Sequence, residues 1–203
     1  MTLPTPWRVE RQRYLVEDDW LVLRADDCRT TDGHAIAPYY VFEYRDWTAV
    51  VALTGAGEII LVREYRHGAG AVMLGLPGGV QDVGDRDPTS AALRELEEET
   101  GYRVLGFHPL APVWANPATH TNAVHGVLAW GAVPTGTRQL HAAEAIEVVL
   151  LPVADCVVGV LDGTLRLSGA HASIVLAAAS RIARAQIPVL AELRSAVRTA
   201  LAG

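Results

Sequence analysis

Apolar and polar positions alternate in short runs over the first quarter of the chain. Val9 to Val16, Trp20 to Arg24 and Tyr39 to Tyr44 each read as a strand, with turn signals at Asp18-Asp19 and Asp32-Gly33. Three short strands bury little alone, so this antiparallel unit, residues 1–46, needs the main domain or a second subunit to cover it. From Trp47 the pattern changes. Thr48 to Leu53 and Glu58 to Glu64 read as a hairpin around Thr54-Gly55-Ala56-Gly57. Arg66 to Leu76 is glycine-rich and reads as irregular, and Pro77-Gly78-Gly79 breaks any regular element before a loop that continues to Asp87.

The period then becomes helical. Asp87 suits the N-cap, Pro88 the first helical position and Gly101 the residue past the end. Further strands are predicted at 102–114, 123–133 and 146–151, and helices at 153–162, 170–186 and, beyond Pro188, 189–202. The order of elements predicts an α+β fold for residues 47–203, an αβα sandwich with a mixed sheet, behind the small N-terminal antiparallel unit.

Composition narrows the partners. A chain of 203 residues, half of them hydrophobic and a fifth charged, folds around a sizeable core. Its 23 acidic against 17 basic side chains give a net charge of -6, which repels phosphate backbones, so no nucleic-acid partner is expected. A small phosphorylated ligand stays compatible, because a bound cation reverses the field locally. Cys28 and Cys156 lie far apart without metal-type spacing. The start MTLPTPWRVERQ is no signal peptide, and no run approaches about 18 apolar residues, so a cytoplasmic protein without a membrane partner is expected.

The chemistry concentrates in Arg94-Glu95-Leu96-Glu97-Glu98-Glu99-Thr100-Gly101. At about 100° per residue, Glu95, Glu98 and Glu99 share one stripe with Ala91 and Ala92, while Leu93, Leu96 and Thr100 face the core and Glu97 faces solvent. Like charges on one face, in the last turns where the macrodipole already disfavours them, destabilise a helix. A hard divalent cation with oxygen ligands relieves both effects. The alanines and the Gly78-Gly79 turn are expected to leave space for a ligand.

These residues resemble the Nudix box, G-x5-E-x7-R-E-U-x-E-E-x-G-U with U apolar. Arg94 to Tyr102 matches its second half and Gly79 its opening glycine, but Asp85 stands at the first acidic position and one extra residue precedes Arg94. The run Val62 to His67, then Leu76 to Gly79, Glu144 to Val148 and Asp162-Gly163, is similar to the ADP-ribose pyrophosphatase branch. That resemblance implies two or three Mg2+ ions, with Mn2+ as an alternative. Glu95 and Glu99 would be the main ligands, assisted by Glu98 and the Gly78 carbonyl. It implies a general base from an acidic loop after the box, for which Glu144 is the candidate, Glu95 and Arg94 completing the catalytic set. It implies a homodimer in which the N-terminal strands pack on the partner, and hydrolysis of a nucleoside diphosphate linked to a small group, ADP-ribose or another nucleotide sugar, to two monophosphates. Arg66, Gly79 and His120 are substrate-binding candidates. The alternatives are a nucleoside triphosphate or coenzyme pyrophosphatase, and a non-catalytic nucleotide-binding module of the same fold.

Overall fold

The computed structural model describes residues 4–140, 145–184 and 187–203, which divide into two compact units. In chain order the strands are β1 (Arg8–Glu17), β2 (Val22–Arg29), β3 (Ala35–Glu43), β4 (Trp47–Thr54), β5 (Glu58–Arg66), β6 (Ala71–Gly75), β7 (Tyr102–Arg103), β8 (Gly106–Pro109), β9 (Val113–Trp114), β10 (Ala123–Pro134) and β11 (Glu147–Pro152). The helices are α1 (Pro88–Thr100), α2 (Val153–Asp162), α3 (Gly169–Ala183) and α4 (Arg194–Ala202).

The first unit comprises residues up to Arg45 together with Trp114–Ala123. Strands β1, β2 and β3 form an antiparallel meander in that order. Phe42 exchanges backbone hydrogen bonds with Thr119 and Thr121, which ties the segment after Trp114 to β3. Trp7, Tyr14, Leu15, Trp20 and Tyr40 remain exposed.

The second unit is a mixed sheet with the central order β11-β5-β4-β10. β10 runs parallel to β4, and β11 antiparallel to β5. Alternate residues supply the two faces of the sheet. On one, Val50, Ala52, Ile60, Val127 and Ala129 pack against Ala92 and Leu96 of α1. On the other, Gly126 lies so close to α3 that a side chain there would meet Ile174 at 2.9 Å. Helices thus cover both faces, and the expected αβα arrangement is borne out.

The predicted hairpin β4–β5 is paired only near its turn, through Leu53 and Ile59. Further along, the chain after β6 lies against β4 instead, where the amides of Val50 and Thr48 donate to the Pro77 and Gly79 carbonyls at 2.9 and 2.8 Å. Residues 66–76, predicted irregular, contain β6, paired with β5 from Val62↔Gly75 to Arg66↔Ala71. The glycines there make the connecting turn, with Gly70 left-handed at φ 62°. The strand predicted over 102–114 is broken because β7 and β8 pair with β10 on either side of Gly131, whose φ is 66°. The last predicted helix divides into a 3-10 segment, Pro188–Leu193, within which Leu190 takes a non-helical backbone, and α4.

Candidate active site

Helix α1 is fixed at both ends by local chemistry. The Asp87 carboxylate accepts from the Ser90 amide at 2.8 Å, and Ser90 Oγ accepts from the Asp87 amide at 3.0 Å. Gly101 closes the helix at φ 72°, its amide donating to the Glu97 carbonyl. Ala91 and Ala92 are fully buried. The expectation that they leave room for a ligand is therefore corrected: their small size lets α1 settle closely on the sheet.

The carboxylates divide into two environments. Arg94 gathers one group. Its Nη1 lies 2.8 Å from both Glu95 Oε1 and Glu98 Oε2, and its Nε and Nη2 each lie 3.1 Å from one oxygen of Asp85. The Asp85 carboxylate also accepts from the Asp82 amide at 2.8 Å, and Arg94 holds it below the usual carboxylate range. Asp at the place of the family's Glu thus still reaches the box arginine in a two-pronged pair and braces the loop. The repulsion expected among Glu95, Glu98 and Glu99 is offset for the first two by this guanidinium.

Glu99 stands apart. It is only 8% exposed, and its Oε2 accepts from the Gly78 amide at 3.0 Å. Burial pushes its carboxyl up to about 8; the Gly78 amide opposes this, while the charges of Glu64 and Glu95 add to it. Burial likewise raises Glu95. The cation that the last turn lacks in its own sequence arrives from Arg138, whose Nε donates to the Glu99 carbonyl at 2.8 Å and whose Nη2 donates to the Ile146 carbonyl at 2.8 Å. Glu97, expected in solvent, pairs with Arg103 at 2.7 Å.

The Pro77-Gly78-Gly79 turn faces this helix. Gly78 has φ 155°, and a Cβ on it would stand 2.1 Å from the Thr48 carbonyl oxygen. A Cβ on Gly79 would stand 2.6 Å from the Glu95 carboxyl carbon. Gly78→Ala therefore forces backbone apart and is expected to destabilise the protein by roughly 3 kcal/mol. Gly79→Ala only displaces a flexible side-chain end, so it should melt close to wild type but lose about tenfold or more in turnover, because a misplaced carboxylate misplaces what it holds. Paired thermal melts and turnover measurements check this; equal melting losses in both variants would refute it.

Arg66, at the end of β5, is half exposed and pairs with Glu64. His171 of α3 accepts from the Leu76 amide at 3.1 Å through Nδ1, and burial, with the charge of Arg66, lowers it to about 4. The structure therefore brings Arg66, Gly78, Gly79, Arg94, Glu95, Glu98 and Glu99 into the second unit around one turn and one helix. His120 belongs to the first unit, its ring 5.3 Å from those of Phe42 and Tyr44. Glu144 lies outside the described residues. Two contributors escaped the sequence reading. Arg138 had no local signal, and Glu64 had only its alternation with Arg66 along a strand.

A divalent cation fits this donor set. The ligands on offer are carboxylate and carbonyl oxygens. Burial raises the Glu99 carboxyl to about 8, which a bound cation would oppose, and the Gly78 carbonyl lies outside the ladder that its neighbours make with β4. Among the described residues, however, no three acidic, histidine or thiol side chains converge tightly enough to hold a metal as they stand, and Arg94 already engages Glu95 and Glu98.

Comparison with known proteins agrees with this geometry. A family model described as NUDIX domain matches residues 43–167, and one described as nucleoside diphosphate sugar hydrolase N-terminal domain matches residues 7–42. The chain belongs to the Nudix family. It is similar to an ADP-ribose pyrophosphatase of Mycobacterium tuberculosis, 32% identical over 154 residues that make up 75% of this chain and 74% of that one. An ADP-ribose pyrophosphatase of Bacillus subtilis is 33% identical over 134 residues, 66% of this chain and 71% of that one. The crystal structure of an ADP compounds hydrolase shares the fold, with a TM-score of 0.70 at 21% identity, over 80% of this chain and 86% of that one.

Proposed function

We propose that this protein is a Nudix pyrophosphohydrolase that cuts the pyrophosphate bond of a nucleoside diphosphate sugar, ADP-ribose first among them, into two monophosphates. The observation that carries the reading is Glu99, a buried carboxylate aimed at the Pro-Gly-Gly turn and raised to about 8 beside Glu64 and Glu95. A group so placed destabilises the metal-free fold and serves a protein that binds a cation there. Mg2+, or Mn2+ in its place, would be held by Glu95 and Glu99 with Glu98 and the Gly78 carbonyl, and when bound supplies charge stabilisation for the pyrophosphate oxygens and an activated water. Arg94 keeps Glu95 and Glu98 aligned, and Arg66 at the end of β5 offers a guanidinium to phosphate. The absence of a side chain at Gly79 lets the Glu95 carboxyl lie against the turn, and we propose that the Gly79 backbone contacts the substrate there. For His120 we propose a substrate contact, which His120→Ala should reveal as a raised KM.

Glu144 is the proposed general base. The chain enters its segment at Gln139, whose amide donates to the Glu98 carbonyl at 2.9 Å, and leaves it at Ile146, held by Arg138. Both flanks are thereby anchored at the carboxylate end of α1. Glu144→Gln should lower turnover while leaving metal affinity unchanged; unchanged turnover would move the role to Glu95.

The test of the whole reading is monophosphate release from ADP-ribose, other nucleotide sugars, nucleoside triphosphates and coenzyme A, each with Mg2+ and with EDTA. Metal-dependent release of AMP from ADP-ribose is expected, and no release from any substrate would leave only a binding module.

We also propose a homodimer formed through residues 1–46, most of which belong to a compact unit that also takes in Trp114–Ala123 rather than standing apart from the whole of 47–203. Trp20, 89% exposed, stands with Tyr14 and Leu15 on a three-stranded sheet that has too little apolar cover of its own. Light scattering should give twice the 21.8 kDa chain mass; a monomer at micromolar concentration would refute it. No single helix among the described residues is long and apolar enough to cross a membrane. With both cysteines free and buried, we assign the protein to the cytoplasm, which cell fractionation checks.

A further inference from the structure

We propose that Glu64 is a further carboxylate of the divalent-metal site, contributed by β5 from outside the box and acting on the cation together with Glu99. The proposal rests on the hydrolytic reading above. Ile60 of β5 packs against Ala92 and Leu96. Residues two and four positions along a strand keep to the same face, so Glu64 shares the face of Ile60. The antiparallel register through Leu53↔Ile59 sets it level with Thr48, against which the Gly78-Gly79 turn that binds Glu99 is laid.

The competing reading makes Glu64 the counter-ion of Arg66. The burial of the pair argues against that as its whole role: the Glu64 side chain is 16% exposed and that of Arg66 51%. An ion pair with a half-exposed arginine is weakened by solvent screening. Burying a carboxylate near a second buried carboxylate adds like-charge repulsion to the cost of desolvation. An oxygen-seeking cation between Glu64 and Glu99 offsets the repulsion, and Arg66 is then left to face an anionic substrate. Strand β5 is held on both edges, by β11 and β6, so it presents Glu64 from a rigid frame.

The experiment is a titration of the full-length, substrate-free protein with Mn2+, free ion being read by electron paramagnetic resonance. Glu64→Gln is expected to weaken Mn2+ binding about tenfold or more, as Glu99→Gln should, with Glu97→Gln at wild-type affinity. If Glu99→Gln weakens binding and Glu64→Gln does not, Glu64 is a counter-ion only and the proposal fails while the hydrolase reading stands. If neither variant changes binding, the metal reading of the site fails with it. Should Glu64→Gln fold poorly with Arg66 left unpaired, Arg66→Gln is compared with the double variant Glu64→Gln/Arg66→Gln. The double variant should bind Mn2+ about tenfold more weakly than Arg66→Gln alone, and equal affinity overturns the proposal.

Discussion

Glu99→Gln is expected to slow metal-dependent pyrophosphate hydrolysis by roughly 10²-fold or more while the protein stays folded. The substitution keeps volume and shape, so the buried side chain still fills its place beside the Gly78-Gly79 turn. An amide oxygen can also go on accepting from the Gly78 amide, which now lies 3.0 Å from Glu99 Oε2. What disappears is the negative charge that a cation would meet. Because metal-held charge stabilisation acts chiefly in the transition state, turnover should fall more than substrate affinity. Glu97→Gln is the control, since Glu97 pairs with Arg103 on another side of the helix. Steady-state kinetics across a Mg2+ titration would decide. A Glu99→Gln enzyme with wild-type turnover at saturating metal would remove Glu99 from the mechanism, and wild-type activity in EDTA would remove the metal.

What could be read in advance follows how local each interaction is. The limits of α1 were legible because capping is decided within a few residues: Asp87, Pro88, Ser90 and Gly101 carry their own instructions. The box was legible because its spacing and the helical period coincide. Strand β6 was not, since glycines at 68, 70 and 75 hide a segment whose strand character comes from its pairing with β5. The charge balance of α1 was misjudged for a related reason. Counting carboxylates along the helix gave unrelieved repulsion, whereas Arg94 turns back to Glu95, Glu98 and Asp85, and Arg138 reaches the Glu99 carbonyl from beyond the next strands. Partners contributed by distant segments leave no periodic trace. Glu64 is the same case: in sequence it is one acidic residue in a strand, and only the register of β5 with β4 brings it level with the turn that binds Glu99.

Removed from metal, the wild-type protein is expected to lose stability as pH rises from 6.5 to 8. Burial pushes the Glu99 carboxyl from an ordinary 4.5 up to about 8. Over that interval the folded chain keeps a proton that the unfolded chain has released, so this stabilisation is full below 4.5 and is lost progressively up to about 8. His171 acts in the opposite sense. Burial lowers it from 6.5 to about 4, so its contribution is full above 6.5 and is lost as pH falls towards 4. The two effects oppose each other below 6.5, and Glu99 acts without that opposition above it. Each unit of pH in that window is worth about 1.4 kcal/mol at most, so the loss from 6.5 to 8 is roughly 2 kcal/mol. For a chain of this size that is a fall in Tm of about 4–8 °C. Glu99→Gln should show no such fall, because it has no proton to lose. Saturating Mg2+ should remove the fall from the wild type as well, since a bound cation favours the ionised carboxylate and offsets what its burial costs. Thermal melts in EDTA and in Mg2+ at pH 6.5 and 8 would settle the matter. A wild-type Tm that stayed constant in EDTA, or a Glu99→Gln variant that fell with it, would place the titrating group elsewhere and detach the buried carboxylate from the metal site.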